Sequence, residues 1–216
     1  MDISEVKSLY TKKAFLYHSF FIDFLGFGRR LKRFFLKSNY LHPNAKILDA
    51  GCGGGTVTRM LYEIAHEKEY QNITFHGFDV TPAMLNIFSG WIENKKASNI
   101  NIVQADVLSL KNLPPNWNQY DLIVSSGMLE YLPKNQIGHA LNNLKQLMRS
   151  GGTLLVFITR RNIITKLLVE LWWKANIYDQ KEIEQIFHGT GFSEIRFVDF
   201  NKRWLDSTIV IEFKNM

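Results

Sequence analysis

The chain reads as an α/β protein: a three-layer sandwich in which helices cover both faces of a mostly parallel sheet, preceded by N-terminal helices. Three observations predict this. From Lys46 onward, short apolar runs alternate with amphipathic helical repeats. The run Asp121 to Ser125 is apolar at nearly every position, as a strand covered on both faces should be. A glycine-rich turn, Asp49 to Gly55, joins the first strand-like run to a helix-like one.

The elements follow in order. Residues 1–44 form a phenylalanine-rich helical segment in which Phe15, Phe20, Phe24 and Phe27 recur at helical spacing. A second short helix is expected from Arg29 to Lys37, and Pro43-Asn44 closes the segment in a loop. This 1–44 stretch is expected to act as a lid on the domain formed by 45–216. Ile47 to Ala50 is the first strand. Thr56 is expected to cap a helix that carries Val57, Met60, Leu61 and Ile64 on one face. Ile73 to Phe78 is the second strand, and Thr81-Pro82 opens the next helix, because proline suits a first turn. Strands at Ile100–Gln104, Asp121–Ser125 and Thr153–Ile158 follow. Between the last two, Ile137, Leu141, Leu144 and Met148 mark a helix stopped by Gly151-Gly152. A helical insert at about 162–178 precedes Asp179 and Glu182, whose spacing is that of a capping box. Strands at 193–200 and 207–213 make seven in all. Their short connection favours antiparallel pairing.

The 216 residues have a mass of 25.1 kDa, enough for one domain with a full core. Cys52 is the single cysteine, which excludes an internal disulfide and a cysteine-only metal cage. No metal site is expected. The first ten residues lack the basic start of a secretory signal, and the greasy stretch Ala14 to Gly28 is too short to span a bilayer, so the expected location is cytoplasmic. Twenty-six basic against 20 acidic residues give a net charge of +6. The basic residues are scattered, with clusters at Arg29–Arg33 and Arg160-Arg161. Nucleic acid is compatible with that charge but not favoured. Peripheral contact with an anionic membrane surface is compatible too.

The chemistry concentrates at the carboxyl ends of the strands, where open α/β sheets bind their ligands. Glycines at 51, 53, 54 and 55 let backbone approach a ligand and adopt dihedrals closed to other residues. Asp79 ends the second strand and Asp106 follows the third. A carboxylate after strand two suits a ribose, since it accepts hydrogen bonds from both hydroxyls. One after strand three suits an exocyclic amine such as that of adenine. Either acid alone is read as a helix N-cap; together with the loop they point to an adenosine ligand. The loop runs Gly51-x-Gly53-x-x-Thr56, so it lacks the third small residue of the dinucleotide fingerprint. That weakens a nicotinamide reading.

With these residues in view, the chain resembles the class I S-adenosylmethionine (SAM) dependent methyltransferases, of the small-molecule type that includes quinone-biosynthesis enzymes. The resemblance covers about Lys46 to Phe213. It is carried by the Asp49–Gly55 loop, Asp79, Asp106, the segment Tyr120 to Pro133, and Leu144 through Phe157. It implies a seven-stranded sheet with the last strand antiparallel. It also implies a role for each site residue: Gly51 and Gly53 line the methionine part of the cofactor, and Asp49 supports the loop. Asp79 holds the ribose and Asp106 the adenine amine, with Val80 and Val107 flanking the ring and Ser126 beside the methionine end. The product would be S-adenosylhomocysteine (SAH). Tyr131 stands after Glu130 where some relatives carry histidine, so no histidine role transfers there.

Methyl transfer from a sulfonium is an in-line displacement, and orientation supplies much of the rate. An oxygen or carbon acceptor also needs a base. Tyr131, Glu130 and His18 are the candidates. His66 and His139 fall opposite the apolar faces of their helices, His188 sits near a helix end, and His76 is expected to be packed within its strand. The acceptor is expected to be a small hydrophobic or aromatic molecule. Tyr17, Arg160 and Trp204 are the candidates to hold it, in segments added to the core fold. Arginine-methyltransferase, amino-methyltransferase and cytosine-C5 signatures are missing. An RNA methyltransferase and a non-catalytic protein that kept the fold remain as alternatives.

Overall fold

The computed structural model describes residues 27–162, 165–166, 175–187, 190–192, 194–200 and 207–215. Phe27–Lys37 forms α1, Lys46–Ala50 β1, Thr56–Glu67 α2, Thr74–Asp79 β2, Pro82–Lys95 α3 and Ile100–Gln104 β3. Tyr120–Ser126 forms β4, Ile137–Leu147 α4, Met148–Thr159 β5, Gln180–Phe187 α5, Glu194–Val198 β6 and Thr208–Lys214 β7. The sheet has seven strands in the order β3-β2-β1-β4-β5-β7-β6. Only β7 runs against the others, pairing antiparallel with β5 and β6. Strand order reverses between β1 and β4, which opens a crevice above their carboxyl ends.

Two cores lie on the two faces of the sheet, as the alternation of strand side chains requires. Leu48, Ile123, Leu154, Ile211 and Phe213 face α4 and α5, meeting Leu141, Leu144, Ile183 and Phe187. Ile47, Phe75, Val124, Leu155 and Val210 face the other way, toward α1, α2 and α3, meeting Phe35, Leu61, Ile64 and Phe88. Helix α1 is anchored by Leu31 and Phe35, one helical turn apart and fully buried. Burying two such side chains contributes roughly 3–6 kcal/mol. Phe34 adds edge-on contacts with Phe157 and Phe200.

Three expected boundaries shift. Gly28 sits within α1, which therefore reaches back at least to Phe27 rather than starting at Arg29. Gly55, not Thr56, is the N-cap of α2, and no side chain of its own caps that helix. Met148 leaves α4 and opens β5, pairing with Tyr120 across an irregularity in register that ends at Leu122. Its side chain is buried either way, so helical spacing alone could not separate the two readings. The capping box forms as expected: Glu182 N–H donates to Asp179 at 2.9 Å, and Asp179 N–H donates to Glu182 at 3.1 Å. No helix among the described residues is long and apolar enough to cross a membrane. Tyr17, His18, His188, Trp204 and most of the 162–178 insert lie outside the described residues.

Candidate cofactor crevice

The loop after β1 is built by backbone hydrogen bonds. Gly51 and Cys52 both donate their N–H to the Phe78 carbonyl at 2.9 Å, which bends the chain back over the end of β2. Gly55 donates to Cys52 O at 2.8 Å and closes the turn into α2. Gly51, Gly53 and Gly55 have φ of 75°, 50° and 86°, in the left-handed region. Space is as restrictive as dihedral: a Cβ on Gly51 would lie 2.6 Å from Met128 Cβ, and one on Gly55 would lie 2.3 Å from the Phe88 ring. Met128, in the segment after β4, thus sits directly on the loop.

Asp49 supplies the cap that α2 lacks. From β1 its carboxylate accepts the Thr58 hydroxyl at 2.7 Å and the Thr58 N–H at 3.2 Å, so a strand side chain fixes the first turn of the helix. Asp49 is 2% exposed. Burial pushes its pKa up to about 7, against the lowering effect of the Thr58 bonds. Cys52 is buried beside it, and burial followed by the charge of Asp49 pushes its thiol well above the usual range. It is inert as a nucleophile.

Asp79 ties the second strand to the loop. One carboxylate oxygen accepts Gly53 N–H at 2.9 Å and the other accepts Thr81 N–H at 2.8 Å. Burial raises its pKa, opposed by these backbone donors. The Thr81 side chain and the Val80 backbone also bond this carboxylate. The next loop is held to the same place, because Ala105 N–H donates to Asp79 O at 3.1 Å and Gln104 Nε2 to Val80 O at 3.1 Å. Asp106 caps its own turn through Leu108 N–H at 2.9 Å and is half-buried. Val80 is half-buried, whereas Val107 is packed in the core beneath α4, with its carbonyl accepting Asn143 Nδ2 at 2.8 Å. Ser126 ends β4 opposite Phe157, half-buried.

Glu130 is buried and bonded to the end of β5. Its carboxylate accepts the N–H of Thr159 at the end of β5, and its carbonyl accepts both the N–H and the side-chain amide of Asn176, at 2.9 and 3.0 Å. Burial lifts its pKa to about 7, against the Thr159 bonds. These bonds fasten the segment after β4 to the end of β5, work that its sequence position alone does not reveal. Tyr131 is buried beside it. Arg160 is half-buried at the end of β5, its N–H donating to Ser207 O at 2.9 Å. Arg161 is committed to Glu182 at 2.8 Å and Asp179 at 3.3 Å. His66 and His139 are exposed. His76 is buried, stacked on Trp117 with ring centroids 4.1 Å apart, its Nδ1 2.7 Å from the Tyr120 hydroxyl. Burial drops its pKa to about 4, so it is a neutral packing group.

A glycine turn is bonded to an acid after the second strand, with another acid tied alongside at the β1/β4 reversal. A family profile described as a methyltransferase domain matches residues 47–152, which span this whole arrangement. The chain belongs to the class I SAM-dependent methyltransferases. A malonyl-[acyl-carrier protein] O-methyltransferase of Paenibacillus sp. (strain JDR-2) is 33% identical over 116 residues, covering 53% of this chain and 38% of that protein. A ubiquinone/menaquinone biosynthesis C-methyltransferase of Vibrio cholerae is 28% identical over 143 residues, covering 66% of this chain and 52% of that one. The chain thus spans about half or less of the length of these relatives. Among solved structures, magnesium protoporphyrin IX methyltransferase from Synechocystis PCC 6803 with bound SAH superposes with a TM-score of 0.71 at 15% identity, covering 100% of both chains. That likeness establishes the shared methyltransferase fold.

Proposed function

We propose that this chain transfers the methyl group of SAM to a small apolar or aromatic acceptor. The observation that carries the reading is the bond between Asp79 and Gly53, which joins a ribose-competent carboxylate to a glycine cradle at the strand reversal. The residues present fit the cofactor. The cradle excludes a Cβ at Gly51 and Gly55, leaving backbone as the surface presented to the methionine part. In the proposed site, Gly51, Gly53 and Ser126 border that part, Asp79 accepts from the ribose hydroxyls and Asp106 from the adenine amine. Val80 lies against the ring, and Val107 gives the site an apolar floor. Bound SAM supplies an electrophilic methyl group on a cationic sulfur. The chain's part is to hold donor and acceptor in line and to exclude water.

Asp49 sits beneath the loop with a pKa near 7, so a cationic cofactor would favour its ionised form. Glu130 acts as a positioning residue through Thr159, which leaves Tyr131 and His18 as the candidates to take a proton. Tyr17, Arg160 and Trp204 remain the candidates for holding the acceptor. The names of the two relatives above join a methyltransferase to a carboxylate-bearing and a quinone-type pathway compound, which supports a small-molecule acceptor; the comparisons give the RNA reading no support. The test is incubation with methyl-labelled SAM and a cell extract, followed by fractionation. Label in organic-soluble small molecules is expected. Label only in RNA, or none with any fraction, contradicts the reading.

A further inference from the structure

In a doubly wound fold helices cover both faces of the sheet; among the described residues β7 is buried, but the edge strand β6 is largely exposed. Over β7 and β6, on the α1 face, lies a groove of about 670 Å³. Its walls carry five cationic side chains, Arg30, Arg33, Lys37, Arg196 and Lys214. Two carboxylates, Glu212 and Asp199, also line it. Glu212 is already satisfied. It is 2% exposed at the groove floor, where the Tyr40 hydroxyl donates to one oxygen and Arg196 to the other at 2.8 Å. Its charge is spent on holding Arg196 in place.

Helix α1 bears on this groove in a way its folding does not require. Its eleven residues contain no acid. Arg29, Arg33 and Lys37 follow one another at four-residue spacing, all exposed. Like charges at that spacing cost roughly 0.2–0.5 kcal/mol per pair. Lys32 is paired with Glu67, but Arg33 and Lys37 make no ion pair among the described residues. Both line the groove. The groove is shallow and open to solvent, so a ligand there would be held by its charge rather than by enclosure.

We propose that this groove is a second binding site, taking a compact phosphate-bearing small molecule such as a phosphomonoester or diphosphate. Arg33, Lys37 and Arg196 bind its oxygens, and guanidinium groups suit them because they offer paired N–H donors in a plane. The site is separate from the cofactor crevice: β4 and β5 lie between β1 and the β7–β6 pair. It does not depend on the acceptor being apolar, nor on catalysis.

The test is calorimetric titration of the full chain with inorganic pyrophosphate, matched against sodium chloride of equal ionic strength. Saturable one-to-one binding is expected. In the double variant Arg33→Glu/Lys37→Glu the affinity should fall at least about tenfold, with SAM affinity unchanged. The neutral pair Arg33→Gln/Lys37→Gln, milder for folding, should show a smaller loss in the same direction. Equal pyrophosphate affinity in wild type and the variants, or no saturable heat, overturns the proposal. Sedimentation with phosphatidylglycerol vesicles separates a lipid surface from a small ligand. Release of any bound chain by pyrophosphate supports the proposal, and binding that pyrophosphate does not disturb overturns it in favour of a membrane surface.

Discussion

Replacing Asp49 with asparagine isolates the electrostatic cost of the cofactor loop. The amide keeps an acceptor for the Thr58 hydroxyl and N–H, so the cap on α2 survives. What disappears is a titration. Asp49 has an ordinary pKa near 3.8 when exposed and about 7 when folded. A raised carboxyl pKa means the folded state holds the proton more tightly than the unfolded chain. Its contribution to stability is therefore full below pH 4 and is lost as the pH rises toward 7. Between about pH 5 and pH 8 the loss spans two pH units, or roughly 2.7 kcal/mol at 1.36 kcal/mol per unit. Glu130 shifts the same way. His76, depressed to about 4, acts oppositely and gains stability as pH rises from 4 to 6.5. The informative quantity is hence the difference between wild type and Asp49→Asn, in which the other groups cancel. Urea unfolding at the two pH values measures it. The wild type should lose roughly 2–3 kcal/mol more than the variant over that interval. Equal pH slopes in the two proteins refute the burial argument.

Other expectations follow from the same geometry. Asp79→Ala should weaken SAM binding by about 10–100-fold, the value of hydrogen bonds to a charged acceptor, and should also lower the melting temperature because Gly53 and Thr81 N–H lose their acceptor, as calorimetry and thermal unfolding would show. Gly55→Ala meets the Phe88 ring at 2.3 Å and a left-handed φ of 86°; overpacking and strain together should cost roughly 2–5 kcal/mol, read as a lower urea midpoint. Glu130→Ala frees the Thr159 N–H and empties a buried site, so stability should fall by about 2–3 kcal/mol; Glu130→Gln should restore most of it and remove one titration from the pH profile.

Much of the fold was legible because its signals are local. Strands such as Ile100–Gln104 and the face Val57, Met60, Leu61 and Ile64 announce themselves by apolar spacing, and the Asp179–Glu182 box by chain separation alone. The positions of the acids at 79 and 106 were readable as well, since one ends β2 and the other follows β3 at the same sheet edge. What escaped depends on contacts between distant residues. Asp49 replaces Thr56 as the cap on α2 because it reaches across from β1, nine residues away. Glu130 looked free for catalysis, yet a partner 29 residues later claims it. Met128 over Gly51 is equally a tertiary contact. One signal was available and unused: Glu212 stands alone in the otherwise apolar run Thr208 to Phe213, and a lone acid there demands partners, which Tyr40 and Arg196 provide.

The most direct measurement is calorimetric titration of the folded chain with SAM, with SAH and with a nicotinamide dinucleotide. Heat that saturates at one equivalent for the two sulfur ligands and is lost in Asp79→Ala is the predicted result. Silence with both, alongside binding of the dinucleotide, would contradict the account at its base.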